Sequence, residues 1–506
     1  MQGVNPVRNQ VIEDKFFTAS LEDVNKALEK AISAFVIFKQ TTTEQRATFL
    51  EIIANEMEDL GDALIERASL ETGLPSARII GERGRTTGQL RMFANYIREG
   101  SYVEASIDTA IADGTPLAKP DLRKMMVPLG PVVVFGASNF PLAYSVAGGD
   151  SAAAFAAGCP VIVKAHPGHP GTSALVASAI VKAAHESGMP DGVFSLLFDS
   201  GFIVGKALVE HPATKAVGFT GSTSGGRALF DMAAQRAEPI PVFAEMGSVN
   251  PSILLPNALA KRAETIANHY AGSITLGVGQ FCTNPGLILG IAGEGLNNFI
   301  SGLSAAIAKT QPATMLHSGI SGAYRKNTQE MISQQGVEFL NHSAQEAKEG
   351  EGRPVLAKAS GVAFINNPQL HEEVFGPFSL VIECRDKEEL NQCVDKLSGQ
   401  LTTTIIGEED ELNSYHDLII ELREKAGRII FNGVPTGVEV CPSMNHGGPY
   451  PASTDSRFTA VGIHSIKRFL RPLSFQDAPQ AILPAALQDA NPHKIWRLLD
   501  GELSKD

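Results

Sequence analysis

The chain has 506 residues, 43% of them apolar and 19% charged, which is enough to build two or three domains with real cores and excludes a disordered chain. A formal net charge of -13 argues against nucleic-acid or anionic-membrane partners, because phosphate recognition needs a basic surface. The five cysteines (159, 282, 384, 393 and 441) are widely spaced, with no CxxC and no Cys/His ligand pattern, so a reduced compartment fits and a metal site does not.

The N-terminal stretch MQGVNPVRNQVIEDKF has no apolar leader core, and no run approaches the ~20 apolar residues of a spanning helix; a cytoplasmic chain is expected. From Ser20, Ser-x-x-Asp opens a segment with Val24, Ala27, Leu28, Ala31, Ile32 and Phe35 at helical spacing, which predicts a capped amphipathic helix. A second helix is predicted from Thr43 through Leu50, Ile53, Met57, Leu60 and Leu64, stopped by Gly73 and Pro75. Strand-like runs VVVF (132), VIVK (161), AVGF (216) and VFAEM (242) then alternate with helical patterns, and SILLP (252), LILGI (287), SLVIEC (379), LTTTII (401) and RIIF (428) form a second set. Such alternation predicts an α/β chain with two mostly parallel sheets. Proline in the last ~40 residues disfavours a long helix there.

Four segments carry chemistry. GASNFPLAY (136 to 144) follows a strand, at the end where open α/β sheets place ligands, and Asn139 can donate its amide to an oxyanion. Alone, an Asn before Phe-Pro is more often a turn residue. KAVGFTGSTSGGRALF (215 to 230) is a strand, a Gly- and Ser-rich turn and a helix start, where backbone amides attract phosphate; Gly221, Ser222 and Gly226 are the candidates, although the spacing is neither GxGxxG nor a P-loop. In VFAEMGSVNP (242 to 251), Glu245 interrupts an apolar strand. Two readings stand for it: a general base whose pKa burial raises, or a carboxylate satisfied by backbone amides. GVGQFCTNPG (277 to 286) sets Cys282 among small and turn-forming residues, where a reactive thiol needs access and amides that lower its pKa; Cys159 and Cys393 fit an inert pattern.

In this order, with Glu-x-Phe-Gly-Pro following at 373 to 377, these segments resemble the aldehyde dehydrogenase superfamily from ETGLP at 71 to RFLRP at 468. The glutamate motif reads Glu245-Met246-Gly247-Ser248 instead of the family's usual Glu-Leu-Gly-Gly. The resemblance implies two Rossmann-like parallel-sheet domains with an oligomerisation arm: a cofactor domain over 1–244 with a hairpin near 118–135, a catalytic domain over 245–440, and a C-terminal segment over 441–506 returning to the cofactor domain. It further implies Cys282 as nucleophile, Asn139 as oxyanion donor, Glu245 as hydrolytic base, Lys164 on the adenosine ribose, Glu373 on the nicotinamide ribose and Phe375 near the ring. NAD or NADP is the implied cofactor. Many NAD-preferring relatives carry a glutamate three residues after the lysine, whereas Lys164-Ala-His-Pro places Pro167 there; without that carboxylate NADP is expected to be accepted and even preferred, with His166 and His169 either assisting or lying as exposed loop histidines.

CPSMNHGGPYPAST from 441 resembles a smaller branch that includes the fatty aldehyde dehydrogenase of luminous bacteria and the 2-oxoglutarate semialdehyde dehydrogenases. There His446 either faces and polarises Cys282 or serves the loop. Phe140 is a substrate-side candidate. In GERGRTTGQLRMFANYI, Arg85 either lies on the surface or enters the substrate pocket, where a guanidinium would hold the distal carboxylate of a semialdehyde and disfavour a fatty chain. The leading reading is therefore a semialdehyde dehydrogenase acting by hydrolysis, with a fatty aldehyde enzyme, an acyl-transferring relative and a non-catalytic homologue as alternatives. A homodimer or homotetramer is expected.

Overall fold

The computed structural model describes residues 1–113 and 117–505. In the first domain, five parallel strands run in the order Phe194–Leu197, Val161–Lys164, Val132–Phe135, Ala216–Thr220, Val242–Glu245. The chain steps outward from Val132–Phe135 in one direction and then in the other, so the sheet's switch point lies between that strand and Ala216–Thr220, where such sheets open a ligand crevice at their carboxyl ends. Their apolar runs are buried on both faces. The helices Leu21–Phe38 and Thr223–Ala234 share one core cluster with the sheet, and Gly149–Ala157 and Pro170–Glu186 share another.

The second sheet has seven strands, Val337–His342, Val355–Ser360, Phe378–Cys384, Leu287–Ile291, Ser252–Leu254, Gln400–Ile406 and Ala426–Phe431, all parallel to their neighbours except the first. Both sheets carry the strands expected from the apolar runs. A third sheet joins Leu470–Gln476, Leu122–Pro128, Ser106–Asp108, Arg497–Leu499 and Glu502–Ser504. Two expectations need correction here. The hairpin expected near 118–135 lies earlier in the chain: Leu122–Pro128 pairs antiparallel with Ser106–Asp108, with a further antiparallel bridge between Ile111 and Lys119, and on its other side with Leu470–Gln476, while Val132–Phe135 is central to the first sheet. The helix expected from Thr43 is two helices, Thr43–Asp59 and Gly61–Thr72; the break falls at Gly61, which has φ of +55°, a conformation a glycine takes without penalty. The capped helix at Ser20 has the expected reciprocal box with Asp23, worth about 1 kcal/mol. Gly73 ends its helix in the left-handed conformation.

After Phe431 the chain crosses back to the first domain. Met246 donates to the Ala452 carbonyl at 2.8 Å, Thr454 donates to Ala244 at 3.0 Å, and Glu245 bridges Ser453, so this segment extends the edge of Val242–Glu245. Among the described residues no helix is long and apolar enough to cross a membrane.

Candidate active site

Glu245 is the last residue of its strand and is 3% exposed. The returning segment brings His446 to it, with Nε2 3.1 Å from Glu245 Oε1 and 3.4 Å from Cys282 Sγ. The Glu245 contact lacks hydrogen-bond alignment, and both of its carboxylate oxygens and His446 Nδ1 are buried without a hydrogen-bond partner. Such orphaned polar atoms are costly, about 1–3 kcal/mol each, and are a mark of a site waiting for solvent or ligand. The backbone of His446 is fixed, donating to Thr459 Oγ1 at 2.8 Å and accepting from Ala460 at 2.7 Å. His446 therefore faces the thiol.

Cys282 departs from its expected electrostatics. Burial pushes its thiol well above the ordinary cysteine value; Glu245 adds to this and Arg85 opposes it. Activation thus has to come from a base at hand, and His446 is within reach. Cys159 is buried, with its thiol pushed up to about 11 chiefly by burial, and Cys393 is buried as well, which fits an inert role for both.

The turn before Cys282 is unusual, because Gly277, Val278 and Gly279 all have positive φ. A β-branched valine at +59° is strained and has to be held by its surroundings. At Gly279 a side chain would collide with the backbone of Gly376, which packs the cysteine turn onto the Glu-x-Phe-Gly-Pro segment. Asn139 reaches the same turn, its Nδ2 donating to the Gln280 carbonyl at 3.1 Å and keeping a second N–H for another acceptor.

Ser248, the departure in the glutamate motif, is buried and donates to Gln400 Oε1 at 2.8 Å or Asn250 Oδ1 at 3.0 Å while accepting from Leu401 N–H at 3.0 Å. Asn250 in turn donates to the carbonyls of Cys282 (2.8 Å) and Asn284 (2.9 Å). This network couples the exit of the Glu245 strand to the Cys282 loop. Sequence reasoning missed Asn250 and Gln400, for which no local motif signals a role.

The cofactor candidates sit along the carboxyl edge of the first sheet. Lys164 ends its strand, and burial lowers its pKa. The carboxylate whose charge it feels, Asp199, accepts from the Gly201 and Val204 N–H groups. Ser222 caps the helix Thr223–Ala234 by accepting from Gly225, and Gly221 donates to the Glu245 carbonyl at 3.0 Å. A side chain at Gly226 would meet Met246 Sδ at 2.6 Å, so glycine allows the helix to close onto the strand. Glu373 lies against Gly247, and burial raises its carboxyl to about 8. With Phe375 it lines a cavity that also holds Ser248 and Gly376. Helix-start amides, a buried lysine at a strand end and a desolvated carboxyl fit a dinucleotide. His169 does not contribute, because it is buried and bonded to Ala137 O (2.8 Å) and Ser173 Oγ (3.3 Å); His166 packs beside it at 5.4 Å between ring centroids.

Arg85 is half-buried among the aromatic side chains that lead to Cys282. Its Nη2 donates to Tyr144 Oη at 3.2 Å, and its guanidinium lies 5.6 Å from the Phe140 ring and 5.4 Å from the Tyr144 ring. Phe140 meets Phe281, the neighbour of Cys282, edge to face at 5.5 Å. Arg85 is thus packed against aromatic rings and half-buried. Tyr144, Arg78 and Glu82 complete this wall and were not anticipated; two arginines seven residues apart on one helix were the available signal.

A cysteine nucleophile, a carboxylate, an amide donor and a dinucleotide cradle together define a thiol-dependent dehydrogenase site. The aldehyde dehydrogenase family model matches residues 1–471, and the chain belongs to that family: it is a nicotinamide-dependent enzyme that oxidises an aldehyde to the acid. It is 50% identical to alpha-ketoglutaric semialdehyde dehydrogenase 2 of Azospirillum brasilense, over 99% of this chain and 96% of that protein. Identity to the alpha-ketoglutaric semialdehyde dehydrogenase of Acinetobacter baylyi is 46%, over 100% and 96%. Among solved structures, the NADP complex of glyceraldehyde-3-phosphate dehydrogenase GapN from Methanocaldococcus jannaschii matches with a TM-score of 0.78 at 20% identity, covering 94% of this chain and 98% of that one. These findings set aside the non-catalytic alternative.

Proposed function

We propose that the chain oxidises the terminal aldehyde of 2-oxoglutarate semialdehyde (2,5-dioxopentanoate) to 2-oxoglutarate by a hydrolytic thioester mechanism. The observation that carries this reading is the guanidinium of Arg85 beside Phe140 and Tyr144, on the wall next to Cys282, in a chain that is about half identical throughout to two enzymes named for that semialdehyde. An alkyl chain would leave this charge desolvated and unpaired, whereas a carboxylate satisfies it.

In the mechanism, His446 Nε2 accepts the thiol proton and Cys282 Sγ attacks the aldehyde carbon. The resulting oxyanion is held by the second N–H of Asn139 Nδ2 and by the Cys282 backbone N–H; one such donor is worth about 2.7–4 kcal/mol of barrier. The nicotinamide, held when bound by Lys164, Ser222, Gly221, Gly226 and Glu373 with Phe375 near the ring, supplies the hydride acceptor that leaves a thioester on Cys282. Glu245, whose carboxylate oxygens have no hydrogen-bond partner, takes a proton from water as the water attacks the thioester, and the acid departs with Cys282 restored.

NADP is accepted, because Pro167 removes the repelling carboxylate and Asp199 is engaged by backbone N–H groups. The third sheet, with exposed Leu498 and Leu503, supports a homodimer or homotetramer, and the reading is that of a cytoplasmic enzyme. The test is a panel of short semialdehydes and uncharged aldehydes with each cofactor. The expected result is the highest kcat/KM for the 2-oxo semialdehyde and turnover with NADP. Preference for uncharged long aldehydes would overturn the substrate assignment.

A further inference from the structure

Arg85 is not the only guanidinium on the substrate wall. Arg78 lies one side of the same helix, Ser76–Glu99, seven residues away, with its guanidinium 4.4 Å from the Phe140 ring and 5.1 Å from the Phe281 ring. Both arginines therefore share Phe140, and each feels the other's charge.

One carboxylate serves them. Glu82 is 4% exposed and fully committed, its Oε1 accepting from the backbone N–H groups of Leu142 (2.8 Å) and Ala143 (2.9 Å) and its Oε2 from Arg78 Nη1 (3.0 Å). Beyond this bond and the bond from Arg85 to Tyr144, neither guanidinium donates to any described residue, and Arg85 Nε is buried without a partner. Two fixed cations with open donors, one buried carboxylate already used and aromatic rings leading to Cys282 make a cluster short of one anion.

We infer that Arg78 and Arg85 form a two-guanidinium subsite for a 2-oxo-carboxylate, and that Arg78 is the specificity-determining residue that separates such substrates from plain aldehydes. This rests on the substrate reading above and deepens it. Arg85, beside Tyr144, takes the carboxylate; Arg78, whose tilt is set by Glu82, faces the 2-oxo oxygen and the second carboxylate oxygen. Glu82 acts as a positioning residue. Through Leu142 and Ala143 it also anchors the loop that carries Asn139, so binding of the distal end and placement of the oxyanion donor share one support.

The experiment measures initial rates of wild type, Arg78→Gln and Arg78→Lys on three five-carbon aldehydes: 2-oxoglutarate semialdehyde, glutarate semialdehyde and pentanal. Arg78→Gln is expected to raise KM for the 2-oxo semialdehyde about ten-fold or more, with a smaller rise for glutarate semialdehyde and the smallest for pentanal. Arg78→Lys keeps the charge beside Glu82 but not the fork, and is expected to rescue glutarate semialdehyde more than the 2-oxo compound. An equal rise in KM for pentanal, or unchanged discrimination in a folded Arg78→Gln enzyme with a wild-type melting temperature, overturns the subsite alone. A wild-type enzyme that prefers pentanal overturns both the substrate reading and the subsite.

Discussion

The two sheets deliver their residues to the site from opposite ends. In the first domain the candidates follow their strands: Asn139 comes after Val132–Phe135, Lys164 ends Val161–Lys164, Gly221 and Ser222 follow Ala216–Thr220, and Glu245 closes Val242–Glu245. In the second they precede them. Cys282 lies before Leu287–Ile291, Glu373 before Phe378–Cys384, and Gln400 begins its strand. The first arrangement obeys the rule that open α/β sheets bind ligands at their carboxyl ends. In the second the thiol and Glu373 lie ahead of their strands, and the buttresses Asn250, Ser248 and Gln400 hold backbone at the junction. Chemistry therefore takes place at a seam, with the base on one side and the nucleophile on the other.

That division can be broken by separating the two halves of the reaction. The largest effect is expected at Glu245→Gln, which removes the water-activating base from the first sheet while leaving the thiol. Steady-state kcat should fall about 10²–10⁴-fold while one equivalent of reduced cofactor still forms in a rapid burst. Loss of the burst would mean that Glu245 acts before the thioester. Asn139→Ala should lower kcat about 10²–10³-fold by removing an oxyanion donor, with the burst itself slowed; a change confined to KM would return Asn139 to the role of a turn residue.

Smaller effects sharpen the seam through pH. The Cys282 thiol is held up by burial first and by Glu245 second, so its reactive form is favoured as pH rises. Glu245→Gln removes the negative charge and should speed Cys282 alkylation by iodoacetamide at a fixed pH near 8. His446→Gln removes the neighbouring base and should move the alkylation profile to higher pH. Profiles shifted in the same direction by both variants would contradict the assigned roles. The smallest effect is at Glu373, whose carboxyl loses its proton only as pH rises through about 8. A carboxylate accepts ribose hydroxyls better than the acid, so cofactor binding should tighten a few-fold between pH 7 and 9, and Glu373→Gln should flatten this dependence in a fluorescence titration.

Legibility in the sequence followed the same division. Strands buried on both faces wrote themselves as continuous apolar runs, so both parallel sheets were readable, and residues just past those runs could be placed at the ligand-binding edge. Short arm strands such as Ser106–Asp108 were invisible, because three residues carry too little alternation to stand out and one of their two pairing partners, Arg497–Leu499, lies hundreds of residues away. The single helix expected from Thr43 failed at Gly61, since apolar spacing persists through a break that only the backbone of a glycine reveals. His446 was nameable but could not be placed: its position depends on an edge contact with Val242–Glu245 made from the far end of the chain. The direction of the Cys282 shift was missed because desolvation by a folded interior leaves no trace in neighbouring residue types. Arg78 and Glu82 were not singled out, although helical spacing put Arg78 in line with Arg85.

The account's central claim is that the acyl group is carried on Cys282 and released by Glu245. The most direct measurement is rapid-quench intact and peptide mass spectrometry of the Glu245→Gln enzyme mixed with cofactor and aldehyde. One acyl equivalent on the peptide containing Cys282, formed in step with the burst of reduced cofactor, is the expected result. Reduced cofactor without an adduct, or an adduct on Cys159, Cys384, Cys393 or Cys441, would contradict it.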